Sequence, residues 1–186
     1  MTVSAKDRLV EELRTHALVV GEVVLTSGQT AQYYVDAKRA ILRPAGFRAL
    51  AELVAAEARS AGAAAVGGMT MGADPIACAA LAGGAAVDAF FVRKERKEHG
   101  LSRWVEGPPL EPGTRCLIVE DVVTTGGSTI RAIERVREEG LEICGVVVIL
   151  DRLAGGDEAI REAAGRDVPY VALATIDDVY PERPDR

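Results

Sequence analysis

Apolar and polar positions recur along the chain with two different periods. Leu9, Val10, Leu13 and Ala17 follow one another at helical spacing behind Ser4, a favourable N-cap, and predict a helix over 4–17. Two β-rich runs come next within 19–42, broken at Ser27-Gly28 in a hairpin pattern. Pro44 then opens a second helix, with Phe47, Leu50, Ala51, Val54 and Ala58 on one face and Gly62 beyond its end.

Past residue 62 the pattern becomes a regular alternation. Short apolar runs at 63–69, 86–93, 114–120, 142–151 and 170–175 predict strands. Between them, 74–84 with Pro75 in its first turn, 128–140 ended by Gly140, and 157–164 predict helices. Strands alternating with helices imply an α/β fold, a mostly parallel central sheet covered by helices on both faces. The 186 residues suit one domain over 1–186, with the hairpin region 18–43 as a small N-terminal lobe. Ligands of such sheets sit outside the carboxyl ends of the strands. The segments after Met69, Arg93, Glu120 and Leu150 are therefore the candidate site.

Composition narrows the classes. With 48% hydrophobic and 27% charged residues the chain reads as a globular protein, and its net charge of −6 argues against nucleic acid or a membrane surface as partner. A small anionic ligand stays open, because it responds to the local field. Cys78, Cys116 and Cys144 lie far apart, which suits buried thiols in a reducing cytoplasm and excludes a zinc ribbon. Two histidines, His16 and His99, leave little for a histidine-rich metal site. The first 20 residues show no apolar signal segment, and no run reaches the ~18 apolar residues of a membrane span.

The strongest motif is LIVEDVVTTGGST, residues 117–129. An apolar strand delivers Glu120 and Asp121, and a turn rich in threonine and glycine runs straight into a helix. Gly126 and Gly127 let main-chain N–H groups close around an anion. Thr124, Thr125, Ser128 and Thr129 add hydroxyls, and the helix N-terminus adds its dipole. That is the chemistry of a phosphate monoester cradle. The two carboxylates suit vicinal ribose hydroxyls, or Mg²⁺ held directly or through water. The segment lacks the G-K-[ST] of a Walker A loop and the G-x-G-x-x-G dinucleotide fingerprint.

This stretch resembles the phosphoribosyl-pyrophosphate (PRPP) signature of type I phosphoribosyltransferases. The resemblance makes Glu120, Asp121, Val122, Val123, Thr124, Thr125, Gly126, Gly127 and Ser128 PRPP-binding. A second motif, FFVRKERKEHGLSR at 90–103, gathers Arg93, Lys94, Arg96, Lys97 and Arg103 against Glu95 and Glu98, beside His99. Its R-K-x-x-K-x-H-G pattern resembles the catalytic loop of the orotate phosphoribosyltransferase family, which grips the pyrophosphate of PRPP and is shared across a homodimer. That implies PRPP binding by Arg93, Lys94, Lys97 and His99, with Arg93, Lys97 and His99 catalytic. Asp151-Arg152 ends a strand where the family binds orotate, so Arg152 is matched to the carboxylate and ring of that base, and Thr124 also touches it. A guanidinium fork is the right device for a carboxylate.

Two segments match less closely. GGMTMGADPIA at 67–77 falls where the family has its pyrophosphate loop, with Met71 where some members have lysine. Residues 23–36 match its N-terminal hood, with Thr26 at another lysine position and Tyr33-Tyr34 as the aromatic pair near the base. The resemblance runs from about 18 to 175. It implies transfer of the phosphoribosyl group from PRPP to orotate, giving orotidine 5′-monophosphate and pyrophosphate with Mg²⁺ as cofactor. A type I enzyme for another base, or a nucleotide-sensing regulator, are the alternatives. His16 and Trp104 receive no role beyond a helix surface and packing of the loop.

Overall fold

The computed structural model describes residues 3–24, 30–95 and 103–186. Helix α1 (Ala5–Glu12) starts on a reciprocal cap, Ser4 Oγ accepting from Asp7 N–H at 3.1 Å while the Asp7 carboxylate accepts from Ser4 N–H at 3.3 Å. Its continuation over Leu13–Ala17 widens into a π turn, so the predicted helix ends in looser winding. Strands β1 (Leu18–Val24) and β2 (Thr30–Val35) pair antiparallel as a two-stranded sheet of their own, with an irregularity between Val20 and Val23. Strand alternation puts Tyr33 inside at 3% exposure and Tyr34 outside at 40%. Thr26, Ser27 and Gly28 lie outside the described residues.

A short helix α2 (Lys38–Ile41) leads to α3 (Pro44–Ser60), whose stripe of Ala49, Leu50, Val54 and Ala58 is buried. Then come β3 (Ala65–Met69), α4 (Asp74–Ala82), β4 (Asp88–Val92), β5 (Val105–Glu106), β6 (Arg115–Val123), α5 (Gly127–Glu138), β7 (Glu142–Asp151), α6 (Gly156–Ala164), β8 (Tyr170–Thr175) and α7 (Ile176–Val179). The sheet order is β5-β4-β3-β6-β7-β8, parallel throughout except for β5 at the edge. The mostly parallel α/β architecture is as the periodicity predicts.

The continuous apolar runs of β6 and β7 hide a period of two. Leu117, Val119, Val147 and Ile149 face a core shared with α3 and α4, while Ile118, Val146 and Val148 face Ile133, Val136 and Ile160 of α5 and α6. Strands buried on both faces have no polar side to reveal the alternation. Each such aliphatic side chain contributes about 2 kcal/mol by leaving water.

Beyond the π turn, and α2 within the 19–42 stretch expected to be β-rich, three details differ from the pattern-based expectation. The strand expected to stop at Glu120 runs on to Val123, because β7 is long enough to pair with it as far as Asp151. The charged segment after Arg93 returns as β5, pairing Val105 with Val92 and Glu106 with Phe91. Cys116 and Cys144 are buried as expected, but Cys78 is exposed. Helix α4 is apolar around its whole circumference and turns only Ile76, Ala77, Ala79 and Ala80 inward, so Cys78 and Leu81 face out. Among the described residues no helix is long and apolar enough to cross a membrane.

Candidate active site

In chain order the sheet grows from β3 to β4 in one direction, then resumes at β6 on the other side of β3. The connections after β3 and β6 therefore diverge, leaving a crevice beyond their carboxyl ends. A cavity of about 260 Å³ occupies that place. Thr70, Met71 and Gly72 form one wall, Glu120, Asp121 and Ser128 the other, and Lys38 and Lys94 reach it from outside the two strands.

Because β6 is still a strand at residues 120 and 121, its two carboxylates leave opposite faces of the sheet. Glu120 is buried, 4% exposed, and accepts from Ser128 Oγ at 2.6 Å and Thr129 Oγ1 at 3.2 Å. Burial pushes its pKa up to about 7; the Ser128 hydrogen bond opposes that rise and the Asp121 charge adds to it. Asp121 accepts instead from Lys38 Nζ at 2.8 Å and from Val122 N–H at 2.8 Å. Burial works to lower the Lys38 pKa, but the hydrogen bonds and charges of Asp121 and Asp36 outweigh it, and the net shift is upward. Gly72 makes this approach possible, since a Cβ there would stand 2.7 Å from Asp121 Oδ1.

Thr124 and Thr125 are exposed where the strand gives way to the helix. Gly126 sits at φ +80 as the residue before α5, and a Cβ on it would lie 2.9 Å from the Gly156 carbonyl oxygen. The turn is thus pressed onto the start of α6, with its side chains kept to a minimum. The Ser128 and Thr129 hydroxyls point to Glu120, which leaves the main-chain N–H groups of the first turn of α5 and the exposed Thr124 and Thr125 side chains to face an anion. Val122 and Val123 shape the site through their main chain: Val123 O accepts from Arg152 N–H at 2.9 Å.

Arg152 stands one strand away, at the end of β7. Asp151 is 3% exposed, accepting from Tyr170 Oη at 2.7 Å and Leu153 N–H at 2.8 Å, and so pins the turn that presents Arg152. Burial first, then the bond to Asp151, drive the Tyr170 pKa upward, which keeps the phenol a donor. The Arg152 guanidinium lies 5.0 Å from the centre of the Tyr33 ring, and its Nε is buried with no hydrogen-bond partner among the described residues. A buried orphan donor beside an aromatic ring is what a planar anionic ligand would satisfy. Tyr33 in turn donates to Asp185 Oδ2 at 3.0 Å and meets Tyr180 edge to face.

The basic motif divides. Lys94 lines the cavity beside the carboxylates, whereas Arg93 pairs with Glu106 Oε1 at 3.1 Å and lines an adjoining hollow. Lys97 and His99 lie outside the described residues. His16, partly exposed at the end of the first helical segment, has its Nε2 3.8 Å from Glu12 Oε2, and Trp104 packs on α5. Lys38 is a site residue that no motif marks, because it comes from α2 and meets Asp121 across 83 positions of sequence. Its only local signal is an Asp-x-Lys triplet just after a strand.

No cluster of three or more histidine, cysteine or acidic side chains suited to a metal occurs among the described residues. Glu120 and Asp121 are a hard, all-oxygen pair, which would suit a divalent ion shared with a phosphorylated ligand rather than one caged by protein.

Main-chain donors at a helix start, set beside two carboxylates, have the chemistry that suits a phosphorylated sugar. Residues 39–163 accordingly match the phosphoribosyl transferase domain family. A curated orotate phosphoribosyltransferase from Rhodopirellula baltica is 47% identical over 180 residues, covering 91% of each chain. The solved orotate phosphoribosyltransferase of Mycobacterium tuberculosis matches in its Fe(III) dicitrate complex with TM-score 0.84 and 37% identity, over 95% of this chain and 99% of that one. In complex with PRPP it matches with TM-score 0.79 and 34% identity, over 94% and 98%. The chain belongs to the orotate phosphoribosyltransferase family.

Proposed function

We propose that the protein transfers the 5-phosphoribosyl group of PRPP to orotate, releasing pyrophosphate and forming orotidine 5′-monophosphate, a step of pyrimidine biosynthesis. The observation that carries this reading is the crevice at the β3/β6 switch point. There a glycine-turned helix start and the Glu120–Asp121 pair face Lys94 and the 70–72 turn. The main chain of Thr124, Thr125, Gly126, Gly127 and Ser128 takes the 5′-phosphate. Asp121 and Glu120 take the ribose hydroxyls and hold Mg²⁺, which when bound neutralises charge on the phosphates. Lys94, Arg93 and the 70–72 main chain take the diphosphate, joined by Lys97 and His99 on the expectation from the motif. Arg152 receives the orotate carboxylate through its guanidinium, beside Thr124 and under Tyr33, with the β1–β2 lobe as hood.

The bond from the ring nitrogen of deprotonated orotate to the anomeric carbon forms as the bond from that carbon to the diphosphate oxygen breaks, its electron pair leaving with pyrophosphate. The ribose passes through an oxocarbenium-like state. The protein's part is electrostatic: cations face the departing oxygens, and carboxylates orient the sugar.

Beyond Lys94, which faces the crevice of its own chain, the loop running to 103 completes the site of a second copy in a homodimer. The outward apolar face of α4, with Cys78 and Leu81, supports that arrangement. Two free, buried thiols, Cys116 with its pKa pushed up to about 12 and Cys144 also raised, support a cytoplasmic setting. The deciding assay is pyrophosphate release from PRPP with orotate, uracil, hypoxanthine or adenine in turn. Release with orotate alone is expected, and release with another base instead overturns the assignment.

A further inference from the structure

Helix α5 carries the anion cradle at one end and, two turns later, a side chain that the proposed chemistry does not use. Arg135 is half-buried and makes four contacts with three segments. Its Nη1 donates to the Arg93 carbonyl oxygen and lies 3.6 Å from Met69 Sδ at the end of β3. Its Nη2 donates to the Lys94 carbonyl oxygen at 2.7 Å. Its Cζ lies over the Trp104 ring, 4.1 Å from the ring centre. Trp104 is fastened to the same helix twice more, Nε1 donating to Glu138 Oε2 at 2.7 Å and its main-chain N–H to Glu139 Oε1 at 2.8 Å. The Arg93 N–H donates to the Trp104 carbonyl oxygen at 2.9 Å, which closes the group.

Both sides of the basic segment, 93–94 leaving β4 and 104 entering β5, are therefore tied to one rod. The rod's first turn, about 10 Å away along the helix axis, forms the phosphate turn. A guanidinium suits this task, since its planar fork serves two carbonyls while its face stacks on an indole.

We propose that Arg135, seated against Trp104, is a positioning residue for phosphoribosyl transfer. It fixes the main chain of Arg93 and Lys94 relative to the phosphate turn and so sets where Lys94 stands over the crevice. This rests on the reading of the crevice as the PRPP site. The arrangement acts on the transition state through placed charge, so its loss lowers kcat while orotate, bound a strand away at Arg152, is held as before.

The test uses the full chain and its single tryptophan, Trp104. For Arg135→Ala we expect kcat of pyrophosphate release from PRPP and orotate to fall about ten- to a hundred-fold, with KM for orotate within about two-fold of the parent. Acrylamide should quench Trp104 fluorescence more strongly, because the ring loses its cover. Arg135→Lys keeps a cation at the indole without the two-carbonyl fork. It should retain most of the shielding and recover only part of the rate, and it keeps the question open to measurement if the alanine variant folds poorly. Parental kcat in either variant, or unchanged quenching in Arg135→Ala, overturns the proposal. A parent enzyme inactive with orotate would instead defeat the substrate assignment, and the quenching comparison would still decide whether Arg135 holds Trp104.

Discussion

The two sides of the crevice offer different means of meeting an anion. On the β6–α5 side the donors are main-chain N–H groups, the carboxylate Glu120 is buried, and Gly126 is wedged onto Gly156. On the β4–β5 side the charges are long side chains at a sheet edge, and Arg93 is 40% exposed and paired with Glu106. The first side is assembled by chain geometry before any ligand arrives. The second depends on side chains whose positions are set by neighbours, and its fields are screened by salt. A charge meant to meet a departing group can be adjustable, whereas a cradle for a group that stays bound gains from rigidity.

The largest expected effect removes the cation that the basic motif contributes to chemistry. Lys97→Ala should lower kcat about 10²–10³-fold with orotate affinity nearly intact by calorimetry. An unchanged turnover number would take the basic segment out of the reaction. Mixing that variant with Arg152→Ala should restore activity if the loop serves the neighbouring copy, and verified mixed dimers without recovery would contradict sharing.

On the rigid side, Gly126→Ala forces a side chain into a left-handed position and against the Gly156 carbonyl. We expect PRPP KM to rise about ten-fold or more, with a loss of about 1–3 kcal/mol in unfolding free energy. Denaturant titration and steady-state kinetics check the two together. A variant with parental stability and KM would show that the turn is not the cradle.

Glu120→Gln separates function from stability. The folded-state pKa near 7 lies above the ordinary 4.5, so the ionised form is disfavoured by folding. The protonated side chain favours the folded state, so the contribution of Glu120 to stability is full below about pH 4.5 and is lost as pH rises through 7. The amide should therefore stabilise the ligand-free protein by about 2–3 kcal/mol at pH 8 and by nearly nothing at pH 4.5, while PRPP turnover falls. Urea midpoints at the two pH values measure it, and a variant less stable at pH 8 would show that Glu120 is held as a favourable anion.

Lys38→Met makes the smallest change. The Lys38–Asp121 pair is partly solvated, so its loss should cost no more than about 1 kcal/mol. PRPP KM should shift only a few-fold, read at two salt concentrations.

The difference between the sides also explains what was readable. The phosphate turn is local: strand, carboxylates, glycines and helix start fall within thirteen consecutive residues, 117–129, so residue order reveals the device. The alternation of runs likewise reveals the parallel sheet. Lys38 and Arg135 show no such signal. One reaches its carboxylate across 83 positions and the other the Arg93 carbonyl across 42, and on their own helices each looks like an ordinary surface charge. The extension of β6 to Val123 was hidden for a related reason, since it depends on the length of β7 beside it.

The sequence by itself determined the fold class, the cradle and the chemical character of the basic segment, because hydrophobic period and turn chemistry act between near neighbours. Only the tertiary structure decided that Glu120 and Asp121 face different surroundings, that Arg152 keeps an unpaired donor under Tyr33, and that α5 ties the cradle to the stems of the basic segment. Those outcomes follow from which strands lie side by side and how deeply a group is removed from water, and both are properties of packing.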